Sequence, residues 1–193
     1  MADNGYVRVS AGCLKNQKIS FRLDKGLRST LSHVKETMFD WLMHDVQGAV
    51  CLDLFAGSGS LGIEALSRGA KSVCFVDHNK MAIDNIRSFL QKAQIDLVKY
   101  QLYNQDFENF IEYTDIKYDI VFLDPPYNDY CMAELLYKLQ KNGILSSKTL
   151  VVFEAKLVDL DKLKISFNVL KIKKMKNLSY GMLKVNLLGE YVS

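Results

Sequence analysis

From Ala49 onward, apolar runs alternate with amphipathic stretches, the pattern of a parallel sheet covered on both faces. AVCLDLF, SVCFVD, LVKYQLY, YDIVFLD and TLVVFE read as successive strands, with helices expected near residues 60–68, 79–93, 107–113 and 131–141. Ahead of this region, YVRVSA and QKISFRL flank the polar link Lys15-Asn16 and predict an N-terminal β-hairpin. Val34, Met38, Trp41 and Leu42 then recur at helical spacing from about Ser32 to His44, with Ser32 placed as a cap. Near the end, NVLKIKKMK and YGMLKVNLL read as two antiparallel strands added to the sheet edge. The expected fold is α/β, with a hairpin extension over residues 1–30 and a sheet domain over 31–193.

Composition narrows the class. A chain of 193 residues, 49% hydrophobic and 24% charged, fits one globular unit and excludes a disordered or fibrous protein. No stretch approaches the roughly 18 uncharged apolar residues of a membrane helix, and MADNGYVRVS lacks the apolar centre of a secretory signal, so a cytoplasmic protein with no membrane partner is expected. Cys13, Cys51, Cys74 and Cys131 form no C-x-x-C pair, and His33, His44 and His78 have no ligand spacing, so neither a metal nor a disulfide framework is expected. Cys51 and Cys74 lie in apolar runs and read as core side chains. Net charge is only +3, yet it is unevenly spread: residues 1–35 and 161–193 each carry seven basic and two acidic side chains, and the middle carries 11 basic and 18 acidic ones. Basic flanks around an acidic centre suit a polyanionic partner, or serve only as solvated surface.

The first candidate for chemistry is DLFAGSGSLGIEAL, in which Gly57-x-Gly59-x-x-Gly62 follows an expected strand and opens an expected helix. Such a loop lets the backbone approach a nucleotide-like ligand at free helix N–H groups. Asp77 ends the next strand, 20 residues after Gly57, where a carboxylate can accept ribose hydroxyls. The same fingerprint serves NAD. Asp53, just ahead of the loop, would repel a pyrophosphate but suits the ammonium and sulfonium end of S-adenosyl-L-methionine. Asn104-Gln105-Asp106 ends the third strand at the same rim; Asp106 could accept an adenine amino group, cap the helix from Phe107, or do both.

The second candidate is Asp124-Pro125-Pro126-Tyr127 at the end of YDIVFLD. Two prolines stiffen the corner and carry no N–H, so the Asp124 carboxylate and the Pro125 carbonyl present acceptors only. That surface fits a planar nucleobase amine, and Tyr127 offers a stacking face worth about 1–3 kcal/mol per base.

With Asp53-Leu54-Phe55-Ala56-Gly57-Ser58-Gly59, Leu61-Gly62-Ile63-Glu64-Ala65-Leu66-Ser67-Arg68-Gly69-Ala70 and Asp124-Pro125-Pro126-Tyr127, the chain resembles the RsmD family of ribosomal RNA guanine-N2 methyltransferases. The resemblance extends to Arg8-Val9-Ser10-Ala11-Gly12, to Leu27-Arg28-x-Thr30 and to Val34-Lys35-Glu36-Thr37-Met38-Phe39. It implies a Rossmann-like methyltransferase fold with an antiparallel C-terminal strand. It also implies methyl transfer from S-adenosyl-L-methionine to the N2 of a guanine in small-subunit (16S) rRNA, free or in the assembled subunit; a monomer is expected.

On this reading Asp53, Phe55, Ala56, Gly57, Gly59, Asp77, His78, Asp106 and Phe107 hold the cofactor. Asp124, Pro125, Pro126 and Tyr127 hold the base, while Arg8, Arg28, Lys35, Lys171, Lys173 and Lys174 meet phosphates. Ser29, Ser32, His33 and Lys35 depart from the family pattern, in the segment expected near RNA. An adenine-N6 DNA methyltransferase and a non-catalytic RNA-binding assembly factor are the alternatives, with an NAD-dependent oxidoreductase kept open by the glycine spacing alone.

Overall fold

The computed structural model describes residues 4–22, 32–125, 131–156, 163–164, 167–175 and 178–184. Strands β1 (Asn4–Arg8) and β2 (Lys18–Arg22) form the hairpin, and helix α1 (Ser32–Trp41) follows. Then come β3 (Val50–Asp53), α2 (Ser60–Ser67), β4 (Ser72–Asp77), α3 (Lys80–Lys92), β5 (Tyr100–Asn104), α4 (Phe107–Tyr113), β6 (Ile120–Leu123), α5 (Met132–Lys141), β7 (Leu150–Lys156), β8 (Asn168–Met175) and β9 (Leu178–Lys184). The sheet order is β5-β4-β3-β6-β7-β9-β8. β3 to β7 pair in parallel, and β9 runs against both β7 and β8. The last strand is therefore not at the edge: β9 slots between β7 and β8, and the lysine-bearing strand takes the outer place.

Two sequence expectations shift. Leu97–Lys99 of LVKYQLY forms a 3-10 turn, not strand, because the Asp96 side chain accepts from Val98 N at 3.2 Å and leaves Leu97 and Val98 exposed. The hairpin connection is also longer than Lys15-Asn16. Residues 9–17 form a loop tied to the end of α2, with Cys13 N donating to Ser67 O at 2.8 Å and Leu14 N to Ser67 Oγ at 2.9 Å.

That attachment explains the composition of α2. All eight of its residues are buried, because the sheet covers one side and the hairpin the other. Val7, Val9, Leu14, Ile19 and Phe21 join α1, α2, α3 and one sheet face in a single core, so the hairpin shares its apolar interior with the sheet. The opposite face packs on α4 and α5 through Leu52, Cys74, Val121, Phe110 and Leu136. Cys51 and Cys74 are buried with their thiols pushed up chiefly by burial, consistent with core roles. Among the described residues no helix is long and apolar enough to cross a membrane.

Candidate active site at the carboxyl ends of the strands

β3, β4, β5 and β6 all end at one rim, the side where open α/β sheets bind ligands. The glycine loop leaves β3 there. Gly57 and Gly59 have φ of 52° and 75°, left-handed values that other residues adopt at a cost, and Gly59 opens α2. Gly62 has a different reason: a Cβ there would lie 2.2 Å from Phe75 Cε1, so this third glycine permits α2 to sit on β4.

Two carboxylates brace the loop. Asp77 accepts from Gly57 N at 2.7 Å through one oxygen and from Asn79 N at 2.8 Å through the other. Asp53, 2% exposed, accepts from Gly62 N at 2.9 Å. Burial pushes its pKa up to about 8; the Gly62 N–H pulls the other way, and the charges of Asp124 and Asp77 push it further up. The groups acting on Asp53 thus bring a surplus of negative charge to the loop. A cation would relieve this arrangement, and a pyrophosphate would worsen it.

The rest of the rim follows the strands. Asn104 Nδ2 donates to Asp77 O at 3.1 Å and His78 O at 2.8 Å, fixing β5 to the end of β4. His78 is exposed beside Asp77. Asp106 caps α4 by accepting from Glu108 N at 2.8 Å, as one of its two sequence readings expects. Phe55 and buried Phe107 pack with ring centroids 5.3 Å apart, while Ala56 N donates to Val76 O at 3.0 Å. Leu54 N donates to Phe122 O at 3.3 Å, which sets the ends of β3 and β6 side by side. Asp124 emerges there half-buried, close enough to Asp53 to raise its pKa, and Pro125 is buried behind it. Pro126, Tyr127 and Arg28 lie outside the described residues.

The expected phosphate contacts divide. Arg8, Lys171 and Lys174 are exposed, and Lys173 is half-buried with its Nζ donating to Thr37 Oγ1 at 3.0 Å. Lys35 corrects the sequence reading. Its side chain is 0% exposed, pairs with Glu64 at 2.8 Å and donates to Arg8 O at 2.6 Å, so it cannot reach a phosphate. Glu64 also receives Arg68 Nε at 2.8 Å, Ser10 N at 2.8 Å and Ala11 N at 3.0 Å. Sequence reasoning left Glu64 without a role. The available signal was a single charged side chain in a helix of otherwise apolar and small residues, which requires a counter-ion if buried.

A parallel sheet closed by one reversed strand, with a glycine loop after β3 and an acid-proline corner after β6, defines a Rossmann-like methyltransferase. The family model described as "Conserved hypothetical protein 95" matches residues 7–188. The chain is 37% identical over 152 residues to Ribosomal RNA small subunit methyltransferase D of Haemophilus influenzae, covering 78% of this chain and 79% of that protein. To the Escherichia coli K12 protein of the same name it is 31% identical over 154 residues, covering 80% and 77%. The solved structure named "Putative methyltransferase yhhF from Escherichia coli" superposes with a TM-score of 0.83 at 27% identity, covering 94% of this chain and 98% of that one. The chain belongs to the ribosomal RNA small subunit methyltransferase D family, and it is an enzyme of the methyltransferase class.

Proposed function

We propose that this chain methylates the exocyclic N2 of a guanine in small-subunit rRNA, using S-adenosylmethionine, as a cytoplasmic monomer. The observation that carries the reading is the meeting of Asp53, Asp77 and Asp124 at the glycine loop, where a cationic cofactor and a nucleobase amine would both find acceptors. When bound, S-adenosylmethionine supplies an electrophilic methyl group. Asp77 and Asp53 hold the loop in shape for it, with Phe55, Ala56, His78, Asp106 and Phe107 around its rim. Asp124 and the Pro125 carbonyl accept hydrogen bonds from the two amine N–H groups, which turns the nitrogen lone pair toward the methyl. The N–C bond would form as the C–S bond breaks, with S-adenosylhomocysteine leaving and one amine proton passing to Asp124 or water. Tyr127 follows in the motif as a stacking face for the base, flipped out of its helix. Residues 1–30 serve as the RNA-contacting extension, with Arg8, Lys171, Lys173 and Lys174 facing phosphates.

The direct test supplies tritiated S-adenosylmethionine with small subunits from cells lacking the endogenous activity and, in parallel, with DNA, then identifies the labelled nucleoside by mass. N2-methylguanosine is expected. Label in N6-methyladenine, or label in DNA only, rejects the substrate assignment.

A pH dependence follows from Asp53. Cation binding favours its ionised form, and burial pushes its pKa up to about 8, so binding below that value must expel a proton. The affinity for S-adenosylmethionine divided by that for S-adenosylhomocysteine, which lacks the sulfonium charge, should rise with pH and level off above about 8. Asp53→Asn should flatten the ratio. Calorimetry showing a wild-type ratio that is constant with pH would remove Asp53 from the cation site.

A further inference from the structure

The hairpin's outer face carries a feature that the methyl-transfer site does not use. Tyr6 is 54% exposed. Arg8 follows it by two positions on the same face of β1, and Lys18 lies across the hairpin from Arg8. Both cations lean on the ring: Lys18 Nζ is 4.7 Å and Arg8 Cζ 5.5 Å from its centroid. Residues 4–22 hold Arg8, Lys15, Lys18 and Arg22 and no acidic side chain. Tyr6, Arg8 and Lys18 therefore form an exposed cluster, an aromatic ring with two cations over it, on a hairpin whose residues 4–22 include no acid.

The cluster is firmly seated. Followed back from Cys13 to Ser10, the chain's contacts move along α2 from Ser67 to Glu64, toward the end that starts at the glycine loop. Ser10 and Ala11 are held by Glu64, and the Arg8 carbonyl is held by Lys35. A ligand on Tyr6 would thus be placed at a defined position relative to α2.

We propose that Tyr6, Arg8 and Lys18 form a docking site for single-stranded RNA, one unpaired base stacking on Tyr6 and its flanking phosphates meeting Arg8 and Lys18. The proposal rests on the rRNA reading above and deepens it by naming the form of RNA recognised. A duplex hides its base faces, so a lone protruding ring suits an unstacked base, and the two cations complement the phosphates on either side of it. An anionic membrane would use the same charges, but one exposed ring offers little apolar area for insertion.

The probe is a fluorescein-labelled 12-nucleotide oligouridine, followed by anisotropy across a salt series. Tyr6→Ala should weaken binding about 5- to 100-fold without changing the salt slope, and Tyr6→Phe should bind within about twofold of wild type. Arg8→Ala and Lys18→Ala should each weaken binding and lower the slope of log affinity against log salt by about 0.7. Side chains on this outer face are exposed, so thermal melting of each variant should match wild type. Four results would overturn the site: no saturable binding by wild type, an unaffected Tyr6→Ala, equal affinity for duplex RNA of the same length, or Tyr6-dependent binding to phosphatidylserine vesicles with none to the oligonucleotide. The methyl-transfer reading fails separately, through absent N2-methylguanosine with wild-type protein, whatever the oligonucleotide shows.

Discussion

Asp124→Ala should leave a protein that folds and binds S-adenosylmethionine but transfers methyl to rRNA about 100- to 1,000-fold more slowly. A positioned acceptor lost from an active site costs about 100- to 1,000-fold, and Asp124 is assigned both orientation of the amine and support of its developing charge. Asp124→Asn keeps one acceptor oxygen and should lose less. The measurement is single-turnover methylation at saturating cofactor, alongside a cofactor titration. The titration carries its own signature. Asp124 is one of the charges that push Asp53 upward, so removing it should lower the Asp53 pKa and move the pH rise in cofactor affinity to lower pH. Single-turnover rates in Asp124→Ala within tenfold of wild type would take the corner out of catalysis.

The second large effect is on stability. Glu64→Ala should lower unfolding free energy by about 3–5 kcal/mol, roughly 6–20 °C in melting temperature for a chain of this size. Lys35 is fully buried against Glu64, so the variant leaves an unpaired ammonium in the core and frees Ser10 N and Ala11 N. Burial alone would raise the Glu64 pKa, but the hydrogen bonds from Lys35, Ser10 and Arg68 and the Lys35 charge outweigh it and hold the carboxyl below its usual range. A lowered native pKa contributes stability above the unfolded value, and that contribution should disappear as acid protonates the group. Lys35→Met combined with Glu64→Leu should recover the part of the loss due to the unpaired ammonium, but not the part due to the freed Ser10 and Ala11 N–H groups. Denaturant melts of the single and double variants decide this. If Glu64→Ala is as stable as wild type, the cluster does not hold the hairpin.

The arrangement also explains why the basic N-terminal flank was only partly legible. Arg8 and Lys35 look alike in the sequence, as two cations in a basic segment. In the folded chain one is exposed on a strand and the other is sealed beneath the hairpin, because an apolar helix brings Glu64 to the junction of hairpin, α1 and α2. Partner choice over 29 residues of separation is a long-range contact that local spacing does not encode.

The elements themselves were written locally. Apolar runs and amphipathic periodicity place β3 to β7 and α2 to α5 within a few residues, since burial on two faces or one stripe leaves a direct mark on residue order. The glycine loop was legible for a similar reason: its turn backbone depends on residues next to one another. The 3-10 turn at Leu97–Lys99 was missed because the Asp96 cap overrides an apolar run that the sheet never covers.

Residue order by itself determined the strand and helix succession, the glycine loop after β3 and the acid-proline corner after β6. Tertiary structure alone decided that β9 enters between β7 and β8, that Lys35 belongs to Glu64, and that Asp53 feels Asp77 and Asp124. Each of these depends on groups distant in sequence becoming neighbours where water is excluded, and only there do their charges and shapes constrain one another.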